Sequence, residues 1–200
     1  MDHTGLTLAY YNHMAEDFTG RTRNIEFSFL QNQFASYVRP GGRILDLGCG
    51  SGRDSKAFLD MGYQVTAIDG SRELCRLASA YLGQEVICTT FQDYQPEGRF
   101  DGIWACASLL HLSVDDVKKT MSKFAAALED QGVFYVSFKY GTFSGERSSR
   151  YFTDMNEELF SEVLADIPAL RVDQQFITDS AKPGREDEKW LNVFLTKSLE

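Results

Sequence analysis

The sequence predicts an α/β protein, with a mostly parallel sheet covered by helices on both faces and an antiparallel pair at one edge. Two observations predict it. From residue 43 to 140, short apolar runs alternate with segments of helical periodicity. The last two apolar runs then follow each other with no helix between them, which predicts antiparallel edge strands. At 200 residues and 43% hydrophobic content, the chain suits one domain over residues 1–200.

The elements follow in order. Residues 8–38 read as helical. Tyr10, Met14 and Phe18 form an i, i+4 stripe, which assigns Tyr10 to the core, and Ile25, Phe29 and Phe34 mark a second helix. "RPGG" (39–42) ends this region. "RILDLG" (43–48) is a buried strand, and "RDSKAFLDMG" (53–62) is a helix stopped by Gly62. "QVTAID" (64–69) is the second strand, followed by the helix "SRELCRLASAYLG" (71–83) with a Ser cap and a terminal Gly. "EVICTT" (85–90) and "FDGIWACA" (100–107) are the third and fourth strands. A capped helix runs over 113–130, and "GVFYVSFKY" (132–140) is the fifth and most hydrophobic strand. "GTFSGERSSRYF" (141–152) reads as a flexible stretch able to close over a ligand. A helix over 156–167 precedes two closing strands, 170–178 and 189–197.

Net charge is −9 and the pI is near 4.9, which argues against a partner rich in phosphate, such as nucleic acid, and against an anionic membrane surface. No window approaches the ~20 apolar residues of a membrane span, and the N-terminus has no signal-peptide pattern. The four cysteines, Cys49, Cys75, Cys88 and Cys106, form no C-x-x-C pair. Cys88 and Cys106 sit in apolar runs and read as small buried side chains, a usage that suits a reducing cytoplasm. His3 and His13 are isolated from other ligands, so no metal site is expected.

The chemistry concentrates in "GGRILDLGCGSGRDS" (41–55). In an open parallel sheet, ligands bind beyond the carboxyl ends of the strands, where the strand order reverses. A nicotinamide or flavin fingerprint needs a small residue where Arg53 stands, and a phosphate loop needs G-K-[ST], which is absent. What remains is D-x-G-x-G-x-G, from Asp46 to Gly52. A carboxylate beside the ligand repels pyrophosphate and suits a cation. Asp69, at the end of the second strand, is placed to accept hydrogen bonds from both hydroxyls of a ribose. Together these features describe a positively charged nucleoside without phosphate, and S-adenosyl-L-methionine is such a molecule.

"LDLGCGSGRDS", "AIDGS" and "FDGIWACASLLHL" resemble motifs of the class I S-adenosylmethionine-dependent methyltransferases. The resemblance covers the chain from about Tyr10 onward. "GCGSGRDSKAFLDMGY", "SFKYG", "RYFTD" and "PGREDEKWLN" resemble the tellurite-resistance-like members of that class. The resemblance implies a Rossmann-like three-layer sandwich with seven strands in the order 3-2-1-4-5-7-6, and a helical cap over residues 1–40. It implies that Gly48, Cys49 and Gly50 offer backbone to the methionine part of the cofactor, with Asp46 near its ammonium. It implies that Asp69 holds the ribose, that Gly70 and Ser71 flank the adenine, and that Ala105 and Cys106 lie beside the methionine part. Phe91 would pack on the adenine. Gln92, followed by Asp93, stands where the family often carries an aspartate for the adenine amino group.

Methyl transfer from a sulfonium is an in-line displacement that needs alignment and exclusion of water. A hydroxyl or amine acceptor benefits from a general base; a thiolate does not. His111 is the candidate base, the alternative being a residue that orders its loop. Tyr11, Lys139, Tyr140, Arg150 and Tyr151 are the candidate acceptor-binding residues. Arg21 reads either as a carboxylate ligand or as a surface residue. A cluster of Lys139, Arg147, Arg150 and Arg185 would favour an anionic substrate; scattered loop charges are the other reading. The expectation is therefore methyl transfer to a small acceptor. Methylation of protein or tRNA, or cofactor binding without turnover, are the alternatives.

Overall fold

A computed structural model describes residues 3–185 and 187–198. Two helices lead, α1 (Thr4–Thr22) and α2 (Ser28–Ala35). Strands and helices then alternate: β1 (Arg43–Leu47), α3 (Arg53–Asp60), β2 (Gln64–Asp69), α4 (Arg72–Leu82), β3 (Ile87–Cys88) and β4 (Phe100–Ala105). A 3-10 turn (Leu109–His111), α5 (Val114–Ala126) and β5 (Leu128–Lys139) follow. The chain continues through a hairpin, β6 (Ser144–Arg147) and β7 (Arg150–Thr153), then α6 (Glu157–Ala165), β8 (Leu170–Asp179) and β9 (Lys189–Lys197).

The sheet has seven strands in the order β3-β2-β1-β4-β5-β9-β8. Strands β3 to β5 are mutually parallel; β9 is antiparallel to both β5 and β8. With the separate β6–β7 hairpin left out of the count, this is the expected 3-2-1-4-5-7-6. The order reverses between β1 and β4, so their C-terminal ends open a crevice there.

Alternation along the strands fills both layers. On β5, Phe134, Val136 and Phe138 join one core with Leu45, Leu47 and Ile103. Val133 and Tyr135 point to the other face and meet Ile44, Trp104 and Phe194. Trp104 stacks on Tyr135 at 4.1 Å between ring centroids and is fully buried. On α4, the Ser71 hydroxyl accepts the first-turn amide of Leu74, and Gly83 closes the helix at φ +70°.

Several expectations are corrected. The helix expected to reach residue 130 ends at Ala126, and β5 begins at Leu128, because sheet pairing of Leu128 with Phe100 overrides local helix propensity. The strand expected over 85–90 pairs only at Ile87 and Cys88; at this short edge Cys88 is exposed rather than buried. Phe29 faces solvent, while Leu30, Gln31 and Phe34 carry the buried face of α2. The stretch expected to be flexible is the β6–β7 hairpin, whose tip residues Ser148 and Ser149 have φ of 51° and 60°.

Candidate active site

One cavity of about 720 Å³ opens at the C-terminal ends of β1, β2, β4 and β5, with α1 and the β6–β7 hairpin contributing to its walls. Two regions of opposite charge share it.

The first region is the glycine turn. Gly48 has φ +78°, and a Cβ there would stand 2.7 Å from the Ser108 Cβ. Only glycine lets the turn pass this close to the loop after β4. Asp69 accepts the Gly50 amide at 2.9 Å through Oδ2 and the Ser71 amide at 2.8 Å through Oδ1. Burial pushes its carboxyl up; the amides of Ser71, Gly50 and Gly70 oppose that shift. The carboxylate keeps acceptor capacity beyond these amides, and the side chain lines the cavity.

Asp46, 2% exposed, receives the Ser55 hydroxyl at 2.5 Å. Its carboxyl is pushed up to about 8, first by burial and then by the Asp54 charge. Asp54 is clamped by Arg53, from Nε to Oδ1 at 2.8 Å and from Nη2 to Oδ2 at 2.9 Å. It also accepts Gln31 Nε2 at 2.7 Å and Trp104 Nε1 at 3.0 Å. Burial works to raise the Asp54 carboxyl, but the Arg53 charge and these donors hold it below the usual carboxylate range. Three buried acidic side chains, Asp46, Asp54 and Asp69, thus share this end of the cavity with one guanidinium already committed to Asp54. Such a donor set repels phosphate and fits a nucleoside bearing ammonium and sulfonium groups. The Ser108 hydroxyl, buried on the same wall, has no protein partner.

The second region is basic. Lys139 and Arg185 share Glu188, each at 2.8 Å. Arg147 is bidentate on Asp154, at 3.0 and 2.8 Å. Arg150 has no carboxylate within ion-pair distance among the described residues, and its buried Nε has no partner. Its guanidinium stacks 4.2 Å from the Tyr10 ring centroid and 5.0 Å from that of Phe152. Between the two regions, the Tyr11 hydroxyl lies 2.8 Å from His111 Nε2, and His111 Nδ1 lies 2.7 Å from the Tyr151 carbonyl. The His111 imidazole is pushed down to about 4, chiefly by burial, with Arg150 and Lys139 adding to the fall against the Tyr151 carbonyl.

Of the residues singled out in the sequence, Asp46, Gly48, Cys49, Gly50, Asp69, Gly70, Phe91, Gln92, Cys106, Tyr11, His111, Lys139 and Arg150 all line this cavity. Others do not. Ala105 is fully buried inside β4, and the loop residues Cys106, Ala107 and Ser108 form the wall instead. Ser71 caps α4 and donates to Asn12 Oδ1 at 2.9 Å. Tyr140 is exposed and donates to Glu157 at 2.9 Å. The Tyr151 ring stacks on His3 at 4.4 Å, so only its carbonyl serves the site. Tyr10, assigned to the core, lines the cavity under Arg150, as does Phe18 two turns along the same stripe. Arg21 also lines it but is exposed and paired with Asp17. Lys182 and Trp190 were missed; they sit in a polar loop and on an edge strand, where no local pattern marks them. Among the described residues there is no cluster of side chains fit to hold a metal ion, and no helix is long and apolar enough to cross a membrane.

Comparison with known proteins places this geometry. Residues 44–132 match the family model of a methyltransferase domain. A ubiquinone biosynthesis O-methyltransferase of Rhodopseudomonas palustris (strain BisB5) is 32% identical over 102 residues, 48% of this chain and 40% of that protein. The corresponding protein of Xanthomonas campestris pv. campestris (strain B100) is 31% identical over 110 residues, 52% of this chain and 45% of its own length. The matched segment therefore spans less than half of these relatives. Among solved structures, the Burkholderia thailandensis 1,6-didemethyltoxoflavin-N1-methyltransferase, bound to S-adenosylhomocysteine, superposes with a TM-score of 0.78 at 19% identity, over 99% of this chain and 90% of that one. The magnesium protoporphyrin IX methyltransferase of Synechocystis PCC 6803, bound to S-adenosylmethionine, gives 0.68 at 19% identity, over 98% of both chains. The [4+2]-cyclase SpnF also shares the architecture, at 0.68 and 17% identity over 86% of this chain and 81% of that one. Residues 44–132 thus resemble a methyltransferase domain, and the chain shares the fold of methyltransferases solved with S-adenosylmethionine or S-adenosylhomocysteine.

Proposed function

We propose that this protein binds S-adenosyl-L-methionine and transfers its methyl group to a small anionic acceptor, releasing S-adenosyl-L-homocysteine. The observation that carries this reading is the charge division of one cavity: buried carboxylates around the glycine turn, and cations at the other end. Asp69 holds the ribose hydroxyls, and Asp46 faces the ammonium. The backbone of Gly48, Cys49 and Gly50 cradles the methionine part, with Cys106 beside it. Phe91, Gln92 and Gly70 surround the adenine. Lys139 and Arg150 attract the acceptor. When bound, the sulfonium supplies an activated methyl group, so the protein needs no covalent nucleophile. Its own work is to align the partners and exclude water. We take residues 1–200 as one working unit with the first 40 as its cap. The free cysteines suit a reducing cytoplasm. The motifs within residues 137–192 favour a tellurite-resistance-like member of the class.

Calorimetry with S-adenosylhomocysteine tests the cofactor half, and Asp69→Asn should weaken binding at least roughly tenfold, the loss of one or two buried hydrogen bonds. Mass-spectrometric detection of S-adenosylhomocysteine formed with small acids, tellurite, protein or tRNA tests the other half. Tight cofactor binding with no acceptor turned over would mark a binding protein instead.

A further inference from the structure

We propose that Tyr11 takes the proton from the methyl acceptor and passes its own to His111, and that the acceptor is an aromatic hydroxy acid whose carboxylate pairs with the Arg150 end of the cavity. The proposal rests on the methyl-transfer reading above.

The hydrogen bonds define the starting state. The Tyr151 carbonyl can only accept, so the 2.7 Å contact assigns the proton of neutral His111 to Nδ1. Nε2 is then bare, and the Tyr11 hydroxyl donates to it across 2.8 Å. His111 cannot meet the acceptor with its basic nitrogen, because Tyr11 already occupies it. Tyr11, which lines the cavity, keeps acceptor capacity on its oxygen; Arg150 Nη1 approaches that oxygen at 3.4 Å. In the step, the acceptor O–H bond breaks and its proton goes to the Tyr11 oxygen. The Tyr11 proton goes to His111 Nε2. The freed oxygen pair forms the new C–O bond to the methyl carbon, while the methyl–sulfur pair stays with sulfur.

The product state is an imidazolium facing cations. Arg150 of β7 and Lys139 of β5 bear on His111; Tyr10 of α1 lies against Arg150, and burial holds the Tyr11 hydroxyl of α1 up, with Arg150 opposing the rise and Asp69 of β2 adding to it. Burial, with Arg150 unpaired among the described residues and Lys139 sharing Glu188 with Arg185, disfavours a protonated His111. A carboxylate at Arg150 offsets the part of that penalty that Arg150 imposes, so an anionic acceptor assists its own deprotonation. Arg150 is suited to receive it, having no ion pair among the described residues and an unpartnered buried Nε. Lys182 stands near, and its neighbouring carboxylate, Glu188, is already shared by Lys139 and Arg185. The rings of Tyr10, Phe152 and Trp190 around these cations suit an aromatic body. After release, the cations again face His111 and expel its proton to solvent.

The test compares the meta and para hydroxybenzoates with the matching mercaptobenzoates, whose thiols are largely ionised at neutral pH and need no base. The native protein should methylate at least one isomer of each. Tyr11→Phe and His111→Asn should lower kcat for the hydroxy acid by roughly 100-fold or more, and for the mercapto acid by a few-fold at most. Retained thiol turnover shows that the variants fold. In NMR of the histidines, Arg150→Met should raise the His111 titration midpoint. Equal losses with both acceptors, unchanged turnover of the hydroxy acid, or a midpoint indifferent to Arg150 would each overturn the relay. If no isomer is methylated while S-adenosylhomocysteine still binds, the acceptor class is wrong and the methyl-transfer reading stands. If S-adenosylhomocysteine does not bind, that reading fails and this proposal falls with it.

Discussion

Arg53 grips the carboxylate of its own neighbour Asp54 through two parallel bonds, 2.8 and 2.9 Å long, while its guanidinium rests 4.1 Å from the Phe27 ring centroid. Adjacent residues rarely pair this way. Here Gly52, at φ +79°, caps α3, and both side chains line the cavity. Asp54 in turn ties α2, through Gln31, to the sheet, through Trp104. Arg53→Met would leave a buried carboxylate without its counter-charge. We expect a loss of about 3–5 kcal/mol, read as a lower urea midpoint. Adding Asp54→Asn should restore part of it, since the amide removes the stranded charge.

Asp46 carries a proton in the free site at neutral pH, because burial and the Asp54 charge hold its carboxyl at about 8. An ammonium seated beside it would drive that proton off. Binding of S-adenosylhomocysteine at pH 7 should therefore release up to about one proton, measured by calorimetry in buffers of different ionisation heat. Asp46→Asn should abolish the release. The same raised value makes stability fall as pH rises from the unfolded carboxyl value toward 8, and Asp46→Asn should flatten that decline.

His111 has the opposite sign. Its folded value, about 4, lies below the ordinary 6.5, so the stability linked to it is complete above 6.5 and lost as pH falls through 4. The full effect is about 3 kcal/mol at most, from ~1.4 kcal/mol per unit. Urea unfolding of native protein and His111→Gln between pH 7 and 4 should show a shallower slope for the variant.

Gly48→Ala would set a side chain 2.7 Å from the Ser108 Cβ at a left-handed φ of +78°. The loop after β4 must then retreat. A loss of about 1–3 kcal/mol in thermal unfolding, with weaker S-adenosylhomocysteine binding, is the expected result. Gly62→Ala, with φ +90° but open space around it, should cost stability without touching that affinity.

The order of elements was legible because it depends on local periodicity. The runs 43–48, 64–69 and 189–197 lie within a residue of the observed strands, and Ser71 and Gly83 mark the ends of α4. Where sheet pairing competes with local preference, the sequence misleads: Leu128–Asp130 reads as helix yet extends β5. The β6–β7 hairpin carries no apolar alternation in its sequence because most of its residues are exposed or half-buried, and of its side chains only Phe152 joins a core.

For the site, the sequence by itself determined the glycine turn and its two flanking acids, since D-x-G-x-G-x-G and Asp69 belong to consecutive strand ends whose geometry follows from the fold. Tertiary structure alone decided the basic end. Tyr10 and Tyr11 come from α1, His111 from the turn after β4, Lys139 from β5, Arg150 from the hairpin and Lys182 from the β8–β9 loop. These residues are far apart along the chain and carry no shared period. Only closure of the crevice brings the Tyr11 hydroxyl onto His111 and leaves Arg150 without a carboxylate partner among the described residues, because charge balance in a cavity is a property of its walls together.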